Sequence, residues 1–188
     1  MAFEDYKQKD SIIVVYTGEN KGKTSAGLGM LVRALGAGFK VSFIQFIKAW
    51  DVSEDKFLHR IKPLFDDKLD FYKGGLGFYN AGELSAEVTQ KDHKKEAKKT
   101  FEIAYKAATS GEYQLVICDE INNAVHDGLL SKARLRKLIK EKHPVTNLCL
   151  TGRYFPDELI GDVDIVTNMT KVKHHFDDKL LANRGIDY

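Results

Sequence analysis

The chain has 188 residues, 43% of them apolar, which suits one domain with a filled core and leaves too little for two. A formal net charge of +2 does not make a nucleic-acid surface, and no apolar run approaches the roughly 20 residues of a membrane-spanning helix. The polar, acidic stretch Met1 to Asp10 is unlike a signal peptide, so a cytoplasmic protein with no membrane and no nucleic-acid partner is expected.

Residues 1–10 read as a short extension and residues 171–188 as a tail on a single domain. The first strand is Ser11 to Tyr16, β-branched and apolar throughout, as a strand buried on both faces should be. It runs into Thr17-Gly18-Glu19-Asn20-Lys21-Gly22-Lys23-Thr24-Ser25, and a helix is predicted to begin near Lys23. Glycines let the loop turn its N–H groups inward, and the helix N-terminus adds about half a positive charge, which together hold a polyphosphate. Lys23 adds a mobile cation, and the Thr24 hydroxyl a ligand for the magnesium that accompanies a nucleotide. Gly18 and Gly22 enclose three residues where the common phosphate loop has four, with Thr17 in the place of the first glycine.

The helix runs through Leu28, Leu31 and Leu35 to a stop at Gly36-Ala37-Gly38. Gly27 and Gly29 weaken it, for which close packing on the sheet is the expected reason. Arg33 lies about 15 Å along the axis from Lys23 and is expected at the surface. A second strand, Lys40 to Phe46, completes a βαβ unit and places Gln45 to Trp50 near the phosphate loop. Lys48 and Trp50 then either touch the site or are a solvent-facing lysine and a packing aromatic.

Ser53 to Lys62 is predicted helical with Phe57, Leu58 and Ile61 inward, closed by Pro63. A short strand at Leu69 to Tyr72 leads to the glycine-rich stretch Lys73 to Gly82, which is either a ligand wall or a wide turn. A long helix from Ser85 to Thr109 carries Ala97, Phe101, Ala104 and Ala108 on one face, and its Lys94 to Lys99 run reads as a solvated face.

The strand Leu115 to Cys118 ends in Asp119 and Glu120, carboxylates placed to bind magnesium opposite a phosphate loop. Lys132 to Lys142 is predicted helical, and the strand Thr146 to Leu150 ends in Thr151-Gly152-Arg153, where the planar guanidinium of Arg153 suits phosphate. A short helix at Asp157 to Gly161 and a strand at Asp164 to Thr167 precede the tail. There, His174 and His175 are expected to point to opposite sides and to bind no metal. Cys118 and Cys149 fall inside strands and read as buried free thiols. The fold class is therefore α/β, a single P-loop NTPase domain of RecA-like type with a mostly parallel central sheet flanked by helices.

Several segments together resemble the P-loop ATP:corrinoid adenosyltransferases, which act on cob(I)alamin and cobyrinic acid a,c-diamide. They are Gly18 to Ser25, Gln45-Phe46-Ile47-Lys48, Gly77-Phe78, Cys118 to Ala124, Thr151-Gly152-Arg153, Val172 to Asp177 and Arg184 to Tyr188, in family order. The resemblance implies that Co(I) attacks C5′ of ATP and expels triphosphate, with the nucleotide seated opposite to its direction in kinases. Catalysis would rest on Lys23, Thr24 and Glu120, and ATP binding on Gly18, Glu19, Asn20, Lys21, Gly22, Lys23, Thr24, Ser25 and Arg153. Magnesium or manganese would be held by Thr24, Asp119 and Glu120, and the corrinoid by Phe78, Tyr79 and Asn80. A flavoprotein reductant and a homodimer are implied as well. Asn80 stands where the family has tryptophan, and only about ten residues precede the first strand, where longer members carry a further helix. A phosphotransferase or ATPase on the same loop, or a nucleotide or corrinoid carrier without turnover, remains the alternative.

Overall fold

Successive side chains of a strand face opposite sides of its sheet, so a strand of unbroken apolar sequence needs a cover on both. The computed structural model of the chain describes residues 5–49, 52–77 and 88–187 and supplies those covers. In chain order the elements are β1 (Ile13–Thr17), α1 (Lys23–Gly36), β2 (Val41–Gln45), α2 (Ser53–Ile61), β3 (Leu69–Lys73) and α3 (Gln90–Ser110). Then follow β4 (Leu115–Asp119), α4 (Ile121–His126), α5 (Lys132–Glu141), β5 (Asn147–Thr151) and β6 (Ile165–Asn168). The strands form one sheet in the order β3-β2-β4-β5-β1-β6, and every neighbouring pair is parallel.

Two apolar layers sandwich the sheet. Val116 and Cys118 of β4, with Leu148 and Leu150 of β5, pack toward Ala97, Phe101 and Ala104 of α3 and Leu135 and Leu138 of α5. The alternate residues Leu115, Ile117 and Cys149 pack toward Leu31 and Leu35 of α1 and Leu58 of α2. Each fully buried Leu or Ile contributes about 1.5–3 kcal/mol, so this alternation fixes the register of every central strand. Both cysteines are buried and free, as expected.

The unit formed by β1, α1 and β2 does not join neighbours: β5 and β4 lie between its two strands, and α1 crosses them. At that crossing Gly27 packs on the sheet as expected, although a Cβ there would stand in ordinary contact, 3.4 Å from Thr151 Cγ2 and 3.5 Å from Ile117 Cγ2. Gly29 differs from expectation. It faces open space, with nothing within 4 Å of where a Cβ would stand.

On α2 the stripe facing the sheet is Asp55, Leu58 and Ile61, three residues apart, with Leu58 fully buried. Phe57 falls beside that stripe and is 47% exposed, contrary to its predicted inward placement. Helix α3 begins at Gln90 instead of Ser85, because Thr89 and Asp92 form a reciprocal capping box that sets its start. Its predicted inner face, Ala97, Phe101, Ala104 and Ala108, is buried.

Because all strands run the same way, Thr17, Gln45, Asp119 and Thr151 emerge at one edge of the sheet, where ligands bind in open parallel sheets. Among the described residues, no helix is long and apolar enough to cross a membrane.

Candidate active site

The loop from β1 to α1 turns on two residues in the left-handed region, Gly18 at φ +102° and Gly22 at φ +106°. A Cβ on Gly18 would stand 2.5 Å from the Met169 carbonyl oxygen and 2.6 Å from its amide nitrogen, so only glycine lets the loop lie against the end of β6. The contact is hydrogen-bonded: Met169 N–H donates to Thr17 O at 2.8 Å, and Asn20 N–H to Met169 O at 3.2 Å. Thr17 has a use of its own, since its hydroxyl oxygen accepts from Phe155 N–H at 3.1 Å and ties the loop to the segment carrying Arg153. Lys23 is 7% exposed and donates to Gly18 O at 2.8 Å and to Asn20 O. Burial lowers its pKa, against the opposing pull of Glu120 and Asp119.

The carboxylate side begins where β4 ends. Asp119 is fully buried; its Oδ1 accepts from the Thr151 hydroxyl at 2.7 Å, and its Oδ2 from Thr24 Oγ1 and Gln45 Nε2, each at 3.3 Å. Lys48 Nζ lies 3.4 Å from the same Oδ2, 3.4 Å from Thr24 Oγ1 and 2.9 Å from Glu54 Oε1. Burial would lower the Lys48 ammonium, but the charges of Asp119, Glu54 and Glu120 outweigh it and hold its pKa above the usual lysine range. Glu120 sits at φ +63°, a left-handed turn that opens α4, and its N–H donates to Thr151 Oγ1 at 3.0 Å. Burial, then the neighbouring Asp119 charge, pushes its carboxyl up to about 7.

These groups border a cleft of about 1050 Å³. Glu19 through Ser25, Glu120 and Arg153 all line it, so the structure brings together most of the residues singled out for nucleotide and metal. Asp119 lies behind them, its oxygens turned to Thr24, Thr151, Gln45 and Lys48. Arg153 is exposed, and its backbone N–H donates to Asn123 Oδ1 at 2.6 Å. Phe78, Tyr79 and Asn80, assigned to the corrinoid, lie outside the described residues, as does Trp50.

The far wall comes from the tail: Lys171, His174, Phe176, Ile186 and Asp187 line the cleft. Asp187 pairs with Lys21 of the phosphate loop at 2.7 Å and accepts from Asn183 N–H at 2.7 Å. The rings of His174 and His175 lie 4.7 Å apart and do not diverge as expected. The reason is local: His175 starts a 3-10 turn, which the His174 side chain caps by accepting from Phe176 N–H, so the segment is not extended there. No cluster of three or more His, Cys, Asp or Glu side chains able to hold a metal occurs among the described residues.

Residues 9–188 match the sequence model of the family described as ATP:corrinoid adenosyltransferase BtuR/CobO/CobP. The chain belongs to this family. It is 32% identical to a corrinoid adenosyltransferase of Sinorhizobium, covering 94% of this chain and 80% of that one. It is also 31% identical to one from Pseudomonas aeruginosa, with 97% and 86% covered. Among solved structures, the type III secretion ATPase EscN of enteropathogenic E. coli matches with a TM-score of 0.52 at 16% identity. That likeness covers 90% of this chain but 45% of the ATPase, and shows the shared fold of the P-loop ATPases.

In this adenosyltransferase family member, several cleft residues carried no readable signal in the sequence. Glu54 and Phe57 reach the cleft from α2, and behind it the Thr151 hydroxyl at the end of β5 donates to the Asp119 carboxylate and accepts from the Glu120 N–H. A Thr at a strand end or a Glu in a first helical turn is commonplace. The sheet order, which sets β5 between β1 and β4, gives Thr151 its place, and the docking of α2 gives Glu54 and Phe57 theirs.

Proposed function

We propose that the protein transfers the 5′-deoxyadenosyl group of ATP to the Co(I) centre of a corrinoid, with intact triphosphate as leaving group. The observation that carries this reading is the single cleft in which the shortened phosphate loop, Lys23, Glu120 and Arg153 face one another. At about 1050 Å³ it stands at the top of the ~300–1,000 Å³ range of small-molecule sites, with room for more than a nucleotide. Cobalt supplies the electron pair of the new Co–C5′ bond, and the C5′–O bond breaks with its pair going to triphosphate. What must be stabilised is charge growing on that leaving group. Loop N–H groups, the α1 N-terminus, Lys23 and Arg153 supply positive ends aimed at it, where removal of one such donor typically costs about 3 kcal/mol of barrier.

The donor set also fits magnesium. Thr24 and Glu120 offer a hydroxyl and a carboxylate to the cleft, the hard oxygen ligands that ion takes alongside phosphate oxygens and water. Asp119 would act through the Thr24 hydroxyl that it already holds at 3.3 Å. When bound, the ion neutralises phosphate charge. Phe78, Tyr79 and Asn80 are assigned to the corrinoid on family resemblance, together with a flavoprotein reductant. A homodimer agrees with the apolar side chains left open on the edge strand β6, Ile165 and Val166, and on the tail, Leu180 and Leu181. A cytoplasmic setting agrees with two free thiols.

The test is anaerobic: reduced cobalamin and ATP are mixed with the protein. The cob(I)alamin absorbance should give way to that of a light-sensitive alkyl-cobalamin with one triphosphate released per turnover. Release of orthophosphate or ADP without alkylation would refute the reading.

A further inference from the structure

Lys23 is not the only cation among the carboxylates. Lys48, beyond the end of β2, places its ammonium 3.4 Å from the Thr24 hydroxyl, 3.4 Å from Asp119 Oδ2 and 2.9 Å from Glu54 Oε1. Only 14% of its side chain and 14% of that of Glu54 is exposed, and both line the cleft. Thr24 and Asp119 are two of the groups assigned above to the metal. A magnesium ion and an ammonium cannot both rest against one hydroxyl, since two cations so placed in a half-buried wall repel strongly. Lys23 and Arg153 alone leave that wall short of positive charge, because Asp119, Glu120 and Glu54 bring three carboxyl groups to it and an uncompensated buried charge is costly.

We propose that Lys48 is the metal's place-holder: its ammonium gathers Thr24, Asp119 and Glu54 until ATP binds and yields the Thr24 hydroxyl to the ion that arrives with the nucleotide. Glu54 makes the exchange possible, because its contact with Lys48 is the shortest of the three and does not involve Thr24. Lys48 can retire toward Glu54 without being left unpaired. It is a positioning residue in this account, and the account rests on the proposed metal site at Thr24 and Glu120.

The test uses the full chain with Mn2+ as probe, followed by electron paramagnetic resonance and by Tm, with and without ATP. In Lys48→Gln, Mn2+ should bind without nucleotide roughly tenfold more tightly than to the wild type, the scale of one contact to a charged group. Its Tm in chelator should fall and be restored by Mn2+, whereas Lys48→Arg should follow the wild type. Equal Mn2+ affinity and equal metal-dependent Tm gain in wild type and Lys48→Gln would overturn the proposal. Thr24→Ala separates the two levels. If ATP-linked Mn2+ binding is lost in Thr24→Ala while Lys48→Gln matches the wild type, the place-holder fails and the metal site stands. If the wild type takes up no Mn2+ with ATP, both fall. Should Lys48→Gln not fold, Glu54→Gln removes the retreat and should weaken Mn2+–ATP binding; unchanged binding there overturns the proposal.

Discussion

Asp119 accepts from Thr151, Thr24 and Gln45, with Lys48 close by, so its negative charge is matched by donors on several sides. Glu120, the next residue, is instead pushed up to about 7 by burial and by that same charge. If the metal is held on Glu120 as proposed, that carboxyl must ionise to take it, so binding of metal–ATP near neutral pH should release protons. Calorimetry in two buffers of different ionisation enthalpy should therefore find net proton release near pH 7 that diminishes as pH rises and is absent in Glu120→Gln. Apparent affinity for metal–ATP should rise between about pH 6 and pH 8 for the same reason. The sign is opposite for the empty fold. An unfolded glutamate ionises near pH 4.3, so between there and about 7 the folded state holds the extra proton and stability falls as pH rises. Sequence spacing set these two acids side by side at a strand end as carboxylates for the metal. What separates them is a left-handed turn at Glu120 and a hydroxyl contributed from β5, neither of which leaves a local trace.

At the scale of elements, the central strands were legible because their apolar runs have one solution, burial on both faces. The phosphate loop was legible because glycine and Gly-Lys-Thr carry their geometry with them. Helix faces were harder. Periodicity places Phe57 near Leu58 and Ile61, yet which flank of that stripe meets the sheet depends on how α2 is docked, and Phe57 is left on the cleft. The two glycines of α1 look alike in sequence, and only the crossing over β5 and β4 separates them. Gly29 lies in the helix interior, exposed, with nothing within 4 Å of its absent Cβ. Gly29→Ala should therefore stabilise the protein by about 0.5–1 kcal/mol, raising Tm by roughly 1–4 °C in a calorimetric scan while activity is retained.

Over the whole molecule, the cleft is assembled from residues as far apart as Glu19 and Asp187, and no short window of sequence reports such a closure. The sheet edge supplies one side. The other side is residues 171–187, mostly exposed, with the Asp187 side chain tucked in against Lys21 of the phosphate loop. Deleting the chain from Lys171 onward should leave Tm within a few degrees of the intact protein, since the apolar layers on both sheet faces are untouched. The same deletion should raise KM for ATP or corrinoid in the adenosyl-transfer assay. A fall in Tm of ten degrees or more would show that the tail also supports the core.

A wall that carries none of the weight of the building can be moved. In this chain the residues facing the open side of the cleft answer to few packing constraints, so substitutions there are tolerated by the scaffold and registered by whatever enters. On the proposed function, selectivity among bulky ligands should thus be alterable in residues 171–187 without first re-engineering the sheet edge beneath the nucleotide.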